Sequence, residues 1–296
     1  MAGPRLQLLV TAAVLLTSSW AWQGRNCARL PGRGKLTSPR LASPSESQEA
    51  TSIASPPLSP KALFLLATTG GVVGPAVDGI HNSVLLQYDL FPVEPLGLFK
   101  TSLLIPPLLA VAYTLLGAIL PYIVRQITGL PGETGVTKQL PLVRASSGIQ
   151  AALAVASTIS IILLSKILHE DPSFTGTASL SCLSGAALAQ WALLDGTAAS
   201  LLLATTAAFG GPVAEIPLME FGGAWHYLTP DYFPFEKLGL GPDTSAGLEV
   251  LTGPCYFAVT TDAIALFRFF SRATSTGATS EEGRAADGGS ASRTRR

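Results

Sequence analysis

The chain has 296 residues, 48% of them hydrophobic and 13% charged, with a mean hydropathy of +0.41 and a formal net charge of zero. That composition suits a chain dissolved in lipid better than one dissolved in water, and the charge balance gives no global field to draw nucleic acid or polyanions. Cys27, Cys182 and Cys255 stand far apart, which points away from a disulfide framework or a CxxC metal or redox pair and leaves them as small packing residues.

The N-terminal segment has two parts. Arg5 followed by the run "LQLLVTAAVLL" has the layout of a secretory leader over residues 1–22, too short for a comfortable membrane span. Residues 23–60 are rich in Ser, Pro and Arg, carry acids only at Glu46 and Glu49, and show no periodicity that could build a core, so they read as disordered. A leader followed by an acid-poor stretch is similar to the bipartite presequences of plastids bounded by extra membranes. A signal anchor followed by an idle linker fits equally well.

From Lys61 onward, apolar stretches predict six spans at roughly 62–80, 101–124, 145–168, 174–194, 197–217 and 246–270, each near the ~20 residues a helix needs to cross the hydrocarbon. The fold class expected is therefore all-α, a polytopic bundle of six transmembrane helices over residues 61–271 with a disordered basic tail at 272–296. Charge alternates accordingly. Lys61, Arg125, Lys138, Arg144, Arg268 and the arginines after it fall on one side. Asp78, Asp89, Glu94, Glu170, Asp171, Glu220, Asp231, Glu236 and Asp243 fall on the other, against only Lys100 and Lys237. By the positive-inside rule both termini face the cytosol, or the stroma in a plastid. Small residues dominate the spans, as in "GGVVG" and "TAASLLLATTAAFGG", and let helices approach closely where lipid offers no hydrophobic reason to associate. Pro106–Pro107 and Pro254 are expected to interrupt two of the helices.

Three stretches carry a family pattern. "DLFPVEPLGLFKTSLLIPPLLAVAYTLLGAILPY" holds Leu90-Phe91-Pro92 with Glu94, then Pro106-Pro107, Gly117 and Pro121. "WHYLTPDYFPFE" runs from Trp225 to Glu236, and "PCYFAVTTDAIALFR" from Pro254 to Arg268. In order and spacing these resemble the insulin-induced gene (Insig) family over about residues 62–270. The resemblance implies a non-catalytic regulator, resident in the endoplasmic reticulum membrane, that serves cholesterol homeostasis and lipid metabolism by binding a sterol and holding sterol-sensing-domain partners. It maps the partner-binding Asp onto Asp231, beside Pro230 and Tyr232, with Trp225 and Tyr227 in the same segment. For the lipid, the candidates are Pro106, Pro107, Glu215 and Phe257. No cofactor, metal ligand or catalytic residue is expected.

The chain departs from the family in its leader, in the loop extended through "KLGLGPDTSAG", in Asp262 within the last span and in its Gly-, Ser- and Arg-rich tail. Those departures leave an isoprenoid, a pigment or a galactolipid as alternatives to sterol, and a plastid membrane as an alternative to the endoplasmic reticulum. An acid among rings at a membrane interface is costly unless paired, which supports a partner contact at Asp231; an aromatic belt at the headgroups explains the same segment. A transporter or channel would show repeats and broken spans in matching halves, and no convincing repeat is visible. For an enzyme, Glu215, Glu220, His226 and the intramembrane Asp262 are the candidates. Yet His81, His169 and His226 are read in separate loops, which disfavours a di-iron site, and no GxSxG occurs.

Overall fold

The computed structural model describes residues 58–128 and 147–290, with side chains at 58–128 and 148–275. The expected leader and nearly all of the segment at 23–60 lie outside the described residues. The architecture is helical. It comprises α1 (Pro60–Val72), α2 (Gly74–Leu85), α3 (Ile105–Thr114), a π-turn at Leu115–Ile119, α4 (Leu120–Thr128), α5 (Ser147–Glu170), α6 (Gly176–Leu194), α7 (Ala198–Glu220) and α8 (Thr252–Ser290). Short strands β1 (Leu86–Tyr88), β2 (Pro92–Val93), β3 (Thr101–Ser102) and β4 (Trp225–Tyr227) form two antiparallel pairs, β1 with β4 and β2 with β3. Among the described residues, five segments are long and apolar enough to cross a membrane: Pro60–Leu85, Ile105–Thr128, Gly148–Glu170, Gly176–Leu194 and Ala198–Glu220.

The prolines explain several boundaries. Pro106 and Pro107 do not interrupt a helix; they begin α3, where a missing N–H costs nothing, and Pro254 lies in the first turn of α8. Pro121 cannot donate to the carbonyl of Gly117, and the chain widens into the π-turn just before it. Pro212 likewise leaves the Ala208 carbonyl without its usual donor, and there α8 comes close: a Cβ on Gly253 would lie 2.9 Å from that oxygen. Gly117 is a second close approach, since a Cβ there would lie 2.6 Å from the Ala263 carbonyl. Small residues in these spans thus set helix contacts, as expected in lipid.

α8 is the central packing element, in contact with α1, α5, α6, α7 and the π-turn. Its residues from Thr252 to Phe267 are mostly buried, including Phe257, Ala258, Ile264 and Leu266. The helix continues to Ser290, through most of the segment that the sequence reading assigns to a disordered tail; no proline falls within residues 271–290 to stop it. Polar pairs fix the packing elsewhere. Gln190 on α6 donates to Thr158 of α5 at 2.7 Å, and Arg268 of α8 pairs with buried Asp195 at the end of α6.

Candidate functional site

The β1–β4 ribbon closes one end of the bundle. Its register sets Leu86 opposite Tyr227, Gln87 opposite His226 and Tyr88 opposite Trp225. Strand alternation then turns Leu86, Tyr88, Trp225 and Tyr227 inward and leaves Gln87 and His226 toward solvent. His226 Nδ1 meets Asp89 Oδ2 at 2.7 Å on the outer side. Tyr88 and Trp225 stack edge to face, with centroids 6.5 Å apart and planes at 71°.

Beneath the ribbon lies a cavity of about 110 Å³ between α2, α3, α7 and α8. Glu215 of α7 is its hub. Oε2 accepts from Trp225 Nε1 at 3.2 Å and from the Tyr227 hydroxyl at 3.0 Å, while Oε1 accepts from the Tyr256 hydroxyl at 2.7 Å. Asp78 of α2 accepts from the Tyr88 hydroxyl at 2.7 Å, and Asn82 donates to that same hydroxyl oxygen at 2.9 Å. Burial and then the facing carboxylates, Asp78 for Tyr88 and Glu215 for Tyr227, push both ribbon phenols well above the usual tyrosine range, so both stay protonated donors. His81, also lining the cavity, is held through Nδ1 by Ser165 of α5 at 2.7 Å.

A second space, a groove of about 390 Å³, runs between α6, α7 and α8. Its walls are chiefly apolar, among them Ala187, Leu188, Phe209, Val213 and Phe257, and Leu188 and Phe209 are exposed at its edge. Tyr232, Leu248, Glu249 and Val250 close one end. Glu249 Oε2 accepts from the Leu251 N–H at 2.8 Å, and Oε1 stands 3.5 Å from His169 Nδ1. Burial, and then the nearby Asp231 charge, push the Glu249 carboxyl up to about 7, against the lowering effect of the Leu251 and Thr252 N–H groups.

The structure divides the residues that the sequence singles out. Trp225 and Tyr227 face the cavity, whereas Asp231 and Tyr232 are exposed and Pro230 is half-buried. Asp231 Oδ1 accepts from the Val250 N–H at 2.9 Å, and Tyr232 bridges to Leu248, so the exposed segment is tied to the groove wall. Pro230 also borders an outer hollow of about 420 Å³ with Asp89 and His226. Of the lipid candidates, Glu215 lines the cavity and Phe257 the groove, while Pro106 and Pro107 line neither. Glu215, Glu220 and His226 are not convergent: Glu220 accepts from Ser245 at 2.9 Å, and His226 points to Asp89.

Asp78 and His81 correct the sequence reading, which places both in the first loop; α2 carries the span on to Leu85 and buries His81. The signal was present as Asp78, His81 and Asn82 at i, i+3 and i+4, which is one face of a helix. Asp262 of α8 accepts from Tyr113 at 3.0 Å and does not line the cavity. Among the described residues no group of three or more His, Cys, Asp and Glu is arranged to hold a metal ion. No family model, curated protein or solved structure matches the chain.

Proposed function

We propose that this chain is an Insig-like, non-catalytic membrane protein that binds a sterol or another isoprenoid lipid in the groove between α6, α7 and α8 and relays its presence to a membrane partner at Pro230–Tyr232. The observation that carries this reading is the groove itself. Its volume falls within the range of ordinary ligand sites, its walls are chiefly apolar with the Ser184 and Thr205 hydroxyls along them, and its one carboxyl, Glu249, stands with Tyr232 at one end. A lipid hydroxyl placed at that end meets acceptors, and its hydrocarbon body lies along Ala187, Phe209 and Phe257. Because Leu248 and Val250 belong to the same wall and are bonded to Tyr232 and Asp231, occupancy has a short path to the exposed segment. By the resemblance, the partner is a sterol-sensing-domain protein and the compartment is the endoplasmic reticulum membrane, with a plastid membrane as the setting if the leader is bipartite.

In this reading α8 supplies a sixth crossing beside the five apolar segments. Support comes from its buried run between Thr252 and Phe267, and from Arg268 and Arg272 following on the side that also receives Arg125.

The test fills the groove. Ser184→Trp and Val213→Trp place large side chains where the lipid body would lie, and mass spectrometry of gently extracted protein reads the occupant. Wild type should carry a neutral isoprenoid enriched over bulk lipid, and the variants should lose it by about tenfold or more, the equivalent of ~1.4 kcal/mol of obstruction. A wild-type protein carrying only bulk lipid, or filled variants with undiminished occupancy, overturns the reading.

A further inference from the structure

We propose that the cavity between α2, α3, α7 and α8 is a second ligand site, separate from the groove, and that it takes a small alkylammonium group. The case rests on which hydrogen-bonding capacity the cavity has left. Most of its donors are committed: the hydroxyls of Tyr227 and Tyr256 and the Trp225 indole all donate to Glu215, Tyr88 donates to Asp78, Asn82 donates to the Tyr88 hydroxyl oxygen, and Tyr113 donates to Asp262. What remains is mainly acceptor capacity, with the weakly donating Cys255 thiol beside it. Ser165 Oγ donates to the Ile162 carbonyl at 2.8 Å, so its oxygen accepts from Nδ1–H of His81, and Nε2 is then an unprotonated lone pair. That Nε2 is buried with no protein partner, in a side chain only 4% exposed.

Two carboxylates and a histidine with an unpartnered, buried ring nitrogen therefore line one partly open space, and no Lys or Arg is among the described residues lining it. A ligand that satisfies three acceptors at once brings several N–H donors. A ligand that is stable against two carboxylates in a low-dielectric site brings positive charge. The walls fit the same chemistry, since Tyr88, Trp225, Tyr227 and Tyr256 all line the space and aromatic rings attract an ammonium. Size sets the limit. A cavity of about 110 Å³ is smaller than the ~150 Å³ that holds benzene, so the bound group has about five heavy atoms or fewer. Free small amines meet that limit, and so does the ethanolamine end of a phospholipid; the shared chemistry is a primary ammonium on a short alkyl chain.

The experiment titrates full-length protein in nanodiscs with ethylammonium, followed by calorimetry, beside ethanol as the neutral isostere and potassium at matched ionic strength. Saturable binding by ethylammonium alone is expected, with a Kd on the order of 1 mM, since three heavy atoms support little more. Competition by phosphatidylethanolamine in phosphatidylglycerol discs would identify a headgroup as the source, and lack of competition a free amine; either result supports the site. Asp78→Asn and Glu215→Gln should each weaken ethylammonium by on the order of 30-fold, enough to abolish the saturable heat. Equal binding of ethanol or of potassium overturns the proposal, as do folded variants that bind ethylammonium like wild type. If neither variant folds, the wild-type discrimination between ethylammonium, ethanol and potassium decides alone.

Discussion

The cavity and the groove share α7 and α8, yet they are built by opposite means. On the cavity side, space is framed by large polar side chains that consume one another's hydrogen bonds, with three donors from one strand and one helix converging on Glu215. On the groove side, space exists because side chains are missing: Ala187, Ala208 and Gly253 leave room that Leu188 and Phe209 only partly cover. A buried polar hub is expensive to disturb, because each orphaned donor keeps its desolvation cost. An apolar groove open at its edge tolerates change, because lipid can enter wherever a side chain retreats. The difference predicts that substitutions on the cavity side act first on the fold, whereas substitutions on the groove side leave the fold intact and act on whatever the groove holds.

The strongest way to break that contrast is Glu215→Ala. It strands the Trp225, Tyr227 and Tyr256 donors together, at about 1–3 kcal/mol for each buried group and less than the full sum after relaxation, so on the order of 4 kcal/mol. Loss of monodisperse protein on size exclusion, or a collapse of the thermal melt, is the expected result. Ser184→Ala in the groove should stay within about 0.5 kcal/mol of wild type. Equal melts for the two would mean that Glu215 is no hub.

Glu249 sharpens the comparison, because it belongs to the groove and yet is buried beside another acid. Its carboxyl is raised to about 7, so between about pH 4.5 and 7 the folded protein holds a proton that the unfolded chain has released. Stability from this group is therefore full below about pH 4.5 and is lost as pH rises through 7, by up to on the order of 3 kcal/mol. Melting temperature should fall from pH 5 to pH 8 in wild type. Glu249→Gln retains an oxygen for the Leu251 N–H and removes the ionisation, so its profile should be flatter. Parallel profiles would show that the carboxyl titrates without cost.

Much of the scaffold was readable from hydropathy and composition, since five apolar segments appear close to where the sequence puts them and the small-residue runs lie at close helix contacts. The cavity was not readable, for a physical reason. Its parts come from α2, α3, α7, α8 and two strands remote in sequence, and a single buried Tyr or Asp looks no different in sequence from a loop residue near a span end. Asp78 shows this: two residues from the end of a span drawn to about residue 80, it counts with the loop charges, whereas the helix running to Leu85 makes it a cavity wall. Trp225 and Tyr227 show the complementary case. A run of five rings reads as one surface, but the strand period of two turns these two inward, while the chain that follows returns to the exterior.

The smallest effect on stability, and the finest test of how the exposed segment relates to the groove, belongs to Asp231. Its Oδ1 accepts the Val250 N–H just before α8 begins, so it serves the fold as a helix-start acceptor whatever else it does. Removing that acceptor in Asp231→Ala should cost about 1 kcal/mol, in the range of capping residues. Asp231→Asn keeps an oxygen in the same place and removes only the charge, so its melt should stay within about 0.3 kcal/mol of wild type, no more than is lost between good capping residues. Partner capture from native membranes then separates the two roles. If the carboxylate meets a donor on a partner helix, Asn loses that partner by on the order of 30-fold while the fold is untouched. If capture weakens only for Ala, in step with its melt, the residue acts through Val250 and the groove wall, and the partner reads the position of the segment while the charge itself makes no contact.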